Sequence, residues 1–201
     1  MEPGQWPGSG GSGGPDRAAR RGDLGAGAAR HAAHLVVHHE AVQVVAVDPS
    51  PEQYEMAADL FRHLEPRLRI VLCDAVSHLK TTANTYDVLY SVFGALDFTD
   101  PRDLLPAAFF ALKPGGRLVF STLAHYTGGA PAQPDVVAAS VPARTPEGEA
   151  ATMHRWVLQE HVWVKALDEA GFTGISVDML PSAVQGPRAA DTLLMTATRR
   201  P

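Results

Sequence analysis

The chain has 201 residues, 45% of them apolar and 19% charged, which suits one domain with a buried core and excludes a disordered chain. A net charge of −5 argues against nucleic-acid binding, because that needs a basic surface to neutralise phosphates. The single cysteine, Cys73, excludes an internal disulfide and a cysteine-rich zinc site. The sequence shows no apolar run long enough to span a bilayer and no secretory signal, so we expect a cytoplasmic protein without membrane contact.

Short apolar runs alternate with amphipathic stretches along most of the chain. Residues 1–17 are rich in Gly, Pro and Ser, which predicts a flexible tail ahead of one domain over 18–201. The predicted strands are 42–47, 68–72, 88–92 and 117–120, and the predicted helices between them are 28–39, 51–64 and 101–112. A helix over 157–170 and two strands, 173–180 and 192–198, complete the pattern.

This alternation predicts an α/β fold. Nearly continuous apolar strands indicate a mostly parallel sheet that is covered by helices on both faces, which gives a three-layer αβα sandwich. The last two strands follow each other without a helix between them. We therefore expect an antiparallel hairpin at one edge of the sheet, with one strand reversed.

Three acidic residues stand where successive predicted strands end: Asp23, Asp48 and Asp74. Gly25 and Gly27 follow the first of them and open the first helix, where a ligand can approach free backbone N–H groups. Asp48 lies 23 residues after Gly25, near the distance of about 20 residues expected for a ribose-binding carboxylate. Each acid alone could be a helix cap, but the three together favour a nucleoside-like ligand at one crevice.

A nicotinamide-dependent reductase is the first alternative for such a crevice. Its fingerprint requires glycine at the sixth position of GxGxxG, where this chain has Arg30. One domain of this length also leaves no separate substrate domain. Both observations disfavour the reductase.

The motifs resemble those of class I S-adenosylmethionine-dependent methyltransferases that act on small molecules. The matching segments are DLGAGAARH (23–31), VVAVDPS (44–50), IVLCDA (70–75), YDVLYSVFGALDF (86–98) and LKPGGRLVFST (112–122). The resemblance implies a Rossmann-like, mostly parallel sheet of seven strands with an antiparallel last strand. It also implies S-adenosyl-L-methionine as the cofactor and an enzyme that transfers its methyl group.

The resemblance implies a role for each matching residue on the cofactor's amino-acid and sugar side. Asp23 would lie near the ammonium group, while Gly25 and Gly27 would make room for the amino-acid portion. Asp48 would accept hydrogen bonds from both ribose hydroxyls.

Further matching residues would contact the base and the reacting sulfur. Asp74 would accept a hydrogen bond from the exocyclic amine of adenine, and the N–H of Ala75 would face a ring nitrogen. Ser91 and Phe93 would flank the sulfonium and the acceptor. For Phe93, packing in the core is an equally good interpretation.

Two departures from the family pattern affect the expected cofactor site. Arg20 and Arg21 stand where family members have apolar residues of a central strand, and a buried charge there is costly unless it reaches solvent. Ala29 replaces the third glycine, which is tolerable if its φ is negative. The first departure supports an alternative function, a catalytically degenerate member that acts as a binding or partner subunit.

The segment 124–153 is the predicted substrate lid, because connections longer than about 12–15 residues are usually functional or disordered. His125 and Tyr126 are the first candidates for contacting the acceptor. His154, Arg155 and Trp156, at the start of the predicted last helix, could close the pocket from the other side. A histidine could act as general base for a hydroxyl, its ordinary pKa being near 6.5.

The sequence thus predicts methyl transfer to an oxygen or nitrogen of a small-molecule acceptor, with specialised metabolism as the suggested context. His31, His34 and His38 share a helical face, but we expect a solvated surface and no metal site, since no HExxH pattern or carboxylate partner accompanies them. The family's N-terminal helices over the substrate are missing from the pattern. Either the chain is truncated, or the tail and a partner subunit, such as a second copy in a homodimer, cover the substrate instead.

Overall fold

The computed structural model describes residues 19–39, 42–145, 148–183, 186 and 189–201. The predicted tail, 1–17, lies outside them. Nine strands are described: β1 (Ala19–Leu24), β2 (Val42–Asp48), β3 (Leu68–Leu72), β4 (Tyr86–Val92), β5 (Leu112–Leu123), β6 (Ala139–Arg144), β7 (Ala150–Arg155), β8 (Phe172–Leu180) and β9 (Thr192–Arg199). The described helices are α1 (Arg30–His38), α2 (Pro51–Phe61), α3 (Ala75–Lys80), α4 (Ala95–Phe98), α5 (Pro101–Ala111) and α6 (Glu160–Glu169), with a 3₁₀ turn at Arg62–Leu64 after α2.

Seven strands form one sheet in the order β3-β2-β1-β4-β5-β9-β8. The first five are parallel, and β9 is antiparallel to both of its neighbours, as predicted for a sheet with one reversed strand. The strand order reverses between β1 and β4. In open α/β sheets that reversal marks the ligand crevice, at the carboxyl ends of the strands.

Helices cover both faces of the sheet, as the side chains of β2 show. Val45 and Val47 pack into one core, together with residues of α3, α5 and α6. Val44 and Ala46 point the other way, into a second core with α1 and α2. The predicted three-layer sandwich is confirmed.

The two arginines of β1 lie in its amino-terminal half, away from the predicted ligand crevice. Both are partly exposed, and the guanidinium carbon of Arg20 lies 5.8 Å from the centre of the Tyr86 ring. The backbone N–H of Arg20 donates to Asp87 Oδ2 at 2.8 Å. Arg20 therefore carries its charge near the surface, whereas Arg21 Nε is buried without a hydrogen-bond partner among the described residues. Neither arginine lies at the bend after β1.

The segment after β5 forms regular structure that the sequence analysis did not predict. β6 and β7 pair as a separate antiparallel hairpin, with Ala139 opposite Arg155. His154 is therefore the second-last residue of β7, and the prediction that it lies at the start of the last helix is wrong. The helix begins only at Glu160.

The histidines of α1 are exposed, as predicted for a solvated face. No helix in the described ranges is long and apolar enough to cross a membrane.

Candidate functional site

The turn from β1 to α1 is a tight loop held against the end of β2. Gly25 and Gly27 adopt positive φ angles of 73° and 54°, which glycine tolerates best. The N–H groups of Gly25 and Ala26 both donate to the Val47 carbonyl, at 2.9 and 3.1 Å. This bonding fixes the loop at the carboxyl edge of the sheet.

Ala29, in the place of the family's third glycine, has a φ of 56°. The condition under which an alanine is tolerable here, a negative φ, is therefore not met. A left-handed conformation costs a residue with a side chain about 1–2 kcal/mol. The Ala29 side chain is fully buried against α1 and β2, and this packing offsets part of the strain.

Gly25 serves a backbone contact that the sequence analysis did not identify. A Cβ at Gly25 would lie 2.3 Å from the nitrogen of Ala95, and a Cβ at Gly94 would lie 2.6 Å from the carbonyl oxygens of Leu24 and Gly25. The two glycines thus let the loop and the residues after β4 touch directly. At Gly27 the nearest atom to an added Cβ is Gln53 Oε1 at 3.6 Å, so Gly27 is the glycine with space beside it.

Asp48, at the end of β2, holds the glycine loop. Its Oδ2 accepts a hydrogen bond from the N–H of Gly27 at 2.8 Å, and its Oδ1 accepts one from Ser50 at 3.0 Å. The cap of α2 is Ser50, whose Oγ accepts from the N–H of Gln53. Asp48 is therefore not the helix cap, and its remaining lone pairs lie at the edge where ligand hydroxyls could reach them.

Asp23 is a buried carboxyl group without a counter-charge. It is 1% exposed, and its Oδ2 has no hydrogen-bond partner among the described residues. Burial raises the pKa of Asp23 to about 7, the nearby Asp48 carboxylate acts in the same direction, and the Tyr90 hydroxyl opposes it. Burying a carboxyl group without a hydrogen-bond partner is costly. Asp23 lies at the crevice, where a cationic ligand could pair with it.

Asp74 lies at the same edge as Asp48, on the neighbouring strand. Asp48 pairs with Leu72, and the N–H of Cys73 donates to the carbonyl of Asp48 at 3.1 Å. Asp74 caps α3 by accepting from the N–H of Ser77 at 2.8 Å, and these hydrogen bonds lower the pKa of its carboxyl group. Its exposed side chain and the first residue of α3, Ala75, border the crevice beyond β2.

Ser91 and Phe93, at the end of β4, differ in burial. Ser91 is fully buried, and its hydroxyl donates to the carbonyl of Leu24 at 2.8 Å, so it supports the glycine loop from below. Phe93 is 39% exposed and has a φ of 48°. Core packing of Phe93 is excluded, and of these two residues only Phe93 presents surface to a ligand.

On the acceptor side, the structure argues against the predicted role of His125 as a base. Its Nδ1 bonds to the carbonyl oxygen of Tyr126 at 3.1 Å, and its Nε2 accepts from the N–H of Asp191 at 3.3 Å. Both ring nitrogens are thus occupied by the backbone. His154 is exposed and neighbours Arg155 in β7, so the two side chains lie on opposite faces of the hairpin. The Tyr126 hydroxyl is buried without a hydrogen-bond partner in the described part of the chain.

An ion pair that was not predicted from the sequence joins the hairpin to α4, the short helix after β4. Arg155 donates to Asp97 Oδ2 from Nη2 at 2.6 Å and from Nε at 3.2 Å, and the Asp97 side chain is fully buried. The N–H of Trp156 donates to the Asp97 carbonyl at 2.8 Å. Burial raises the pKa of Asp97, and its bonds to Arg155 oppose the rise. The sequence feature that could have indicated this ion pair is Asp97, an acidic residue inside the apolar stretch 95–98.

The crevice fits the amino acid and nucleoside of S-adenosylmethionine. Asp23 supplies an unpartnered buried carboxyl group for an ammonium, and Gly27 leaves space beside the loop. Asp48 and Asp74 stand at neighbouring strand ends, where a ribose and an adenine would follow each other. When bound, this cofactor supplies a methyl group activated by a positively charged sulfur.

Comparison with known proteins agrees with this geometry. Residues 23–116 match the model of a family described as methyltransferase domain. A 1,6-didemethyltoxoflavin-N1-methyltransferase from Burkholderia thailandensis, solved with S-adenosylhomocysteine, is 24% identical, with a TM-score of 0.63 over 92% of this chain and 72% of that one. An S-adenosylmethionine-dependent methyltransferase from Mesorhizobium loti is 20% identical, with a TM-score of 0.64 over 91% and 92%.

A more distant enzyme shares the same fold. Phosphoethanolamine N-methyltransferase 2 from Haemonchus contortus, solved with S-adenosyl-L-methionine, is 14% identical, with a TM-score of 0.68 over 94% of this chain and 50% of that one. No curated protein matches the chain in sequence. The glycine loop and the strand ends thus lie in the part of the chain, residues 23–116, that matches the methyltransferase-domain model, and the seven-stranded sheet is the fold that the chain shares with S-adenosylmethionine-dependent methyltransferases.

Proposed function

We propose that this enzyme methylates an oxygen or nitrogen of a small molecule that binds between the end of β4 and the β6–β7 hairpin. The observation that carries the proposal is the ion pair of Asp97 and Arg155. It fixes the hairpin against α4, which begins two residues after Phe93, the exposed residue that follows β4. A methyl acceptor has to lie on this side of the crevice, because the strand ends on the other side are the ones suited to the nucleoside.

The cofactor residues of the proposal are Asp23 for the ammonium, Gly27 with its loop for the amino-acid portion, and Asp48 for the ribose. Asp74 and Ala75 are assigned to the adenine. Gly25 and Ser91 are reassigned to supporting the loop, since each is in contact with backbone of the loop or of the residues after β4.

Alignment is the main contribution of the protein to such a reaction. Holding the acceptor atom in line with the methyl group can contribute roughly 7–11 kcal/mol, so a dedicated base is not required. Phe93 and Tyr126 are the proposed walls of the acceptor site. His125 positions the start of the lid, because its ring joins the Tyr126 carbonyl to the N–H of Asp191.

Three further expectations belong to the proposal. The net charge of −5 favours a small molecule over nucleic acid as the acceptor. The Burkholderia neighbour holds a small heterocyclic compound, which supports an acceptor of that size and a place in specialised metabolism. We also propose a cytoplasmic enzyme and a homodimer in which a second copy covers the acceptor.

Thermal unfolding with added ligands tests the cofactor half of the proposal. At 100 times its dissociation constant, S-adenosylhomocysteine should add about 2.7 kcal/mol to the free energy of unfolding. For a domain of this size that is a rise in Tm of roughly 5–11 °C. We expect this rise and none with NADH. A rise with NADH alone would refute the assignment of the crevice.

Release of S-adenosylhomocysteine from S-adenosylmethionine tests the acceptor half. The enzyme is incubated with a panel of phenols, aliphatic alcohols and amines, and with a DNA and an RNA oligonucleotide. We expect at least one small molecule to raise product formation tenfold above the background without acceptor. Stimulation by an oligonucleotide alone would overturn the proposed acceptor class.

A further inference from the structure

A cavity of about 440 Å³ lies between the segment that follows β5 and the hairpin. That volume is within the range of small-molecule pockets. The residues that line it are Tyr126, Ala130, Pro131, Ala132, Gln133, Pro134, Ala139, Ser140 and Val141. β5 pairs with β4, and the N–H of Phe93 donates to the carbonyl of Ser121. The lining residue Tyr126 comes three residues after the end of β5, so the cavity begins on the continuation of the strand that neighbours β4.

The hairpin turns one chemically distinct face towards the body of the domain. We call Ala139, Val141, Met153 and Arg155 the inner face, because their paired positions share one side of the two strands. In β6 the residues of this side are half-buried, whereas the alternating ones are exposed. Ala139 and Val141 are the two members that line the cavity, and both are apolar. Ser140, from the alternating side of β6, lines it as well, and Met153 is 42% exposed.

The cavity walls offer no charge to a ligand. Among the described residues that line it, none is charged at neutral pH, and prolines and alanines make up more than half of the wall. The fixed φ of proline and the short alanine side chains give walls that adapt little to a different ligand. Gln133 is held by backbone bonds to Val157 and Gln159.

Of the ionisable groups on this side, two are already used within the protein, while Asp135, which follows the lining residue Pro134, is exposed. Arg155, the charged residue of the inner face, is paired with Asp97. Both ring nitrogens of His125 are bonded to the backbone. A charged ligand would lose its hydration inside the cavity without gaining a charged partner from the lining residues, whereas an apolar ligand gains by burying its surface there.

We propose that this cavity is the acceptor subsite and that it selects an uncharged, mainly apolar molecule over charged molecules of the same shape. The inference rests on the proposed function, because it names the chemical class of the acceptor in that reaction.

Three naphthalenes that differ in charge test the selection: neutral 2-naphthol, anionic 2-naphthoate and cationic 2-naphthylmethylamine. Their dissociation constants are measured by titration NMR on the full chain, saturated with S-adenosylhomocysteine. We expect 2-naphthol to bind at least ten times more tightly than either ion. Equal or tighter binding of an ion, or binding of none of the three, would overturn the inference.

A charge placed on the inner face gives a second test that does not depend on the natural acceptor. Val141→Lys should weaken 2-naphthol at least fivefold and strengthen 2-naphthoate at least fivefold. Thr152→Lys is the matched control, because Thr152 is exposed on the opposite face of the same hairpin. The control should leave both constants unchanged, and an equal response of the two variants would place the probes elsewhere.

The affinity for S-adenosylhomocysteine separates the two levels of the proposal. Both lysine variants should keep the wild-type affinity, which also shows that they fold. If the wild type bound no S-adenosylhomocysteine, the proposed function itself would fail. If it bound normally while a charged naphthalene was preferred, the neutral subsite alone would be refuted.

Discussion

The unpaired carboxyl group of Asp23 should make cofactor binding depend on pH. In the free protein, burial raises the pKa of this group to about 7, so that below pH 7 it is mostly protonated and neutral. A ligand ammonium beside it favours the charged form and lowers its pKa in the complex. Binding must then remove a proton at low pH, so the affinity should rise with pH up to about 7 and level off above it.

The expected size follows from the two pKa values. If the complex restores the ordinary value of 3.8, the affinity for S-adenosylhomocysteine at pH 5 should be roughly 70-fold lower than at pH 7.5. The same shift affects folding with the opposite sign. Because the folded-state pKa of Asp23 is raised, stability is lost as the pH rises from 4 to 7, by up to roughly 4 kcal/mol.

Isothermal titration calorimetry between pH 5 and pH 7.5 measures this dependence. 5′-Methylthioadenosine is the matched ligand control, because it keeps the nucleoside and lacks the ammonium, and its affinity should not change over this range. Asp23→Asn is the matched protein control. It should abolish the pH dependence, weaken S-adenosylhomocysteine at pH 7.5 and raise the free energy of unfolding at that pH.

Two results would refute this reasoning. One is an affinity for S-adenosylhomocysteine that stays constant from pH 5 to pH 7.5. The other is an equal pH dependence for 5′-methylthioadenosine, which would assign the titrating group to the nucleoside side of the crevice.

Three substitutions test the remaining contacts. Asp48→Ala should weaken the binding of S-adenosylhomocysteine at least tenfold by calorimetry, because the carboxylate also holds the glycine loop. The control Asp178→Ala, at an exposed site on β8, should leave the affinity unchanged. Equal affinities of the two variants would contradict the ribose role. Gly94→Ala puts a Cβ 2.6 Å from two carbonyl oxygens and should lower the free energy of unfolding in urea by about 1–3 kcal/mol. An unchanged midpoint of urea unfolding would contradict this prediction. Arg155→Met leaves the buried Asp97 charge unpaired and should cost about 3–5 kcal/mol. Much of that loss should return in the double variant with Asp97→Asn, and no recovery would show that the charge is not its cause.

The strand β2 was predictable because its side chains are buried on both faces of the sheet. The run of valines in 42–47 predicted β2, and the acids at the end of β2 and just after β3, Asp48 and Asp74, predicted the carboxyl edge of the crevice. Local composition determines such strands almost alone, since a β-branched run without helical spacing has few other solutions.

The acceptor side was not predictable in the same way. β6 contains Pro142, and its half-buried face is made of small residues, so its alternation is too weak to indicate a strand. The contact between Asp97 and Arg155 joins residues 58 positions apart, which no local pattern reports. Likewise the role of Gly25 depends on the approach of Gly94, a contact between two loops.

The position of β9 in the sheet determines when the last part of the sheet can form during synthesis. Within the described sheet β8 pairs with β9 alone, although β8 leaves the ribosome first. Until Thr192–Arg199 have emerged, β5 keeps an open edge and β8 has no neighbour, and open edges invite pairing with other chains. A nascent chain paused before Thr192 should therefore be the species that most needs a chaperone.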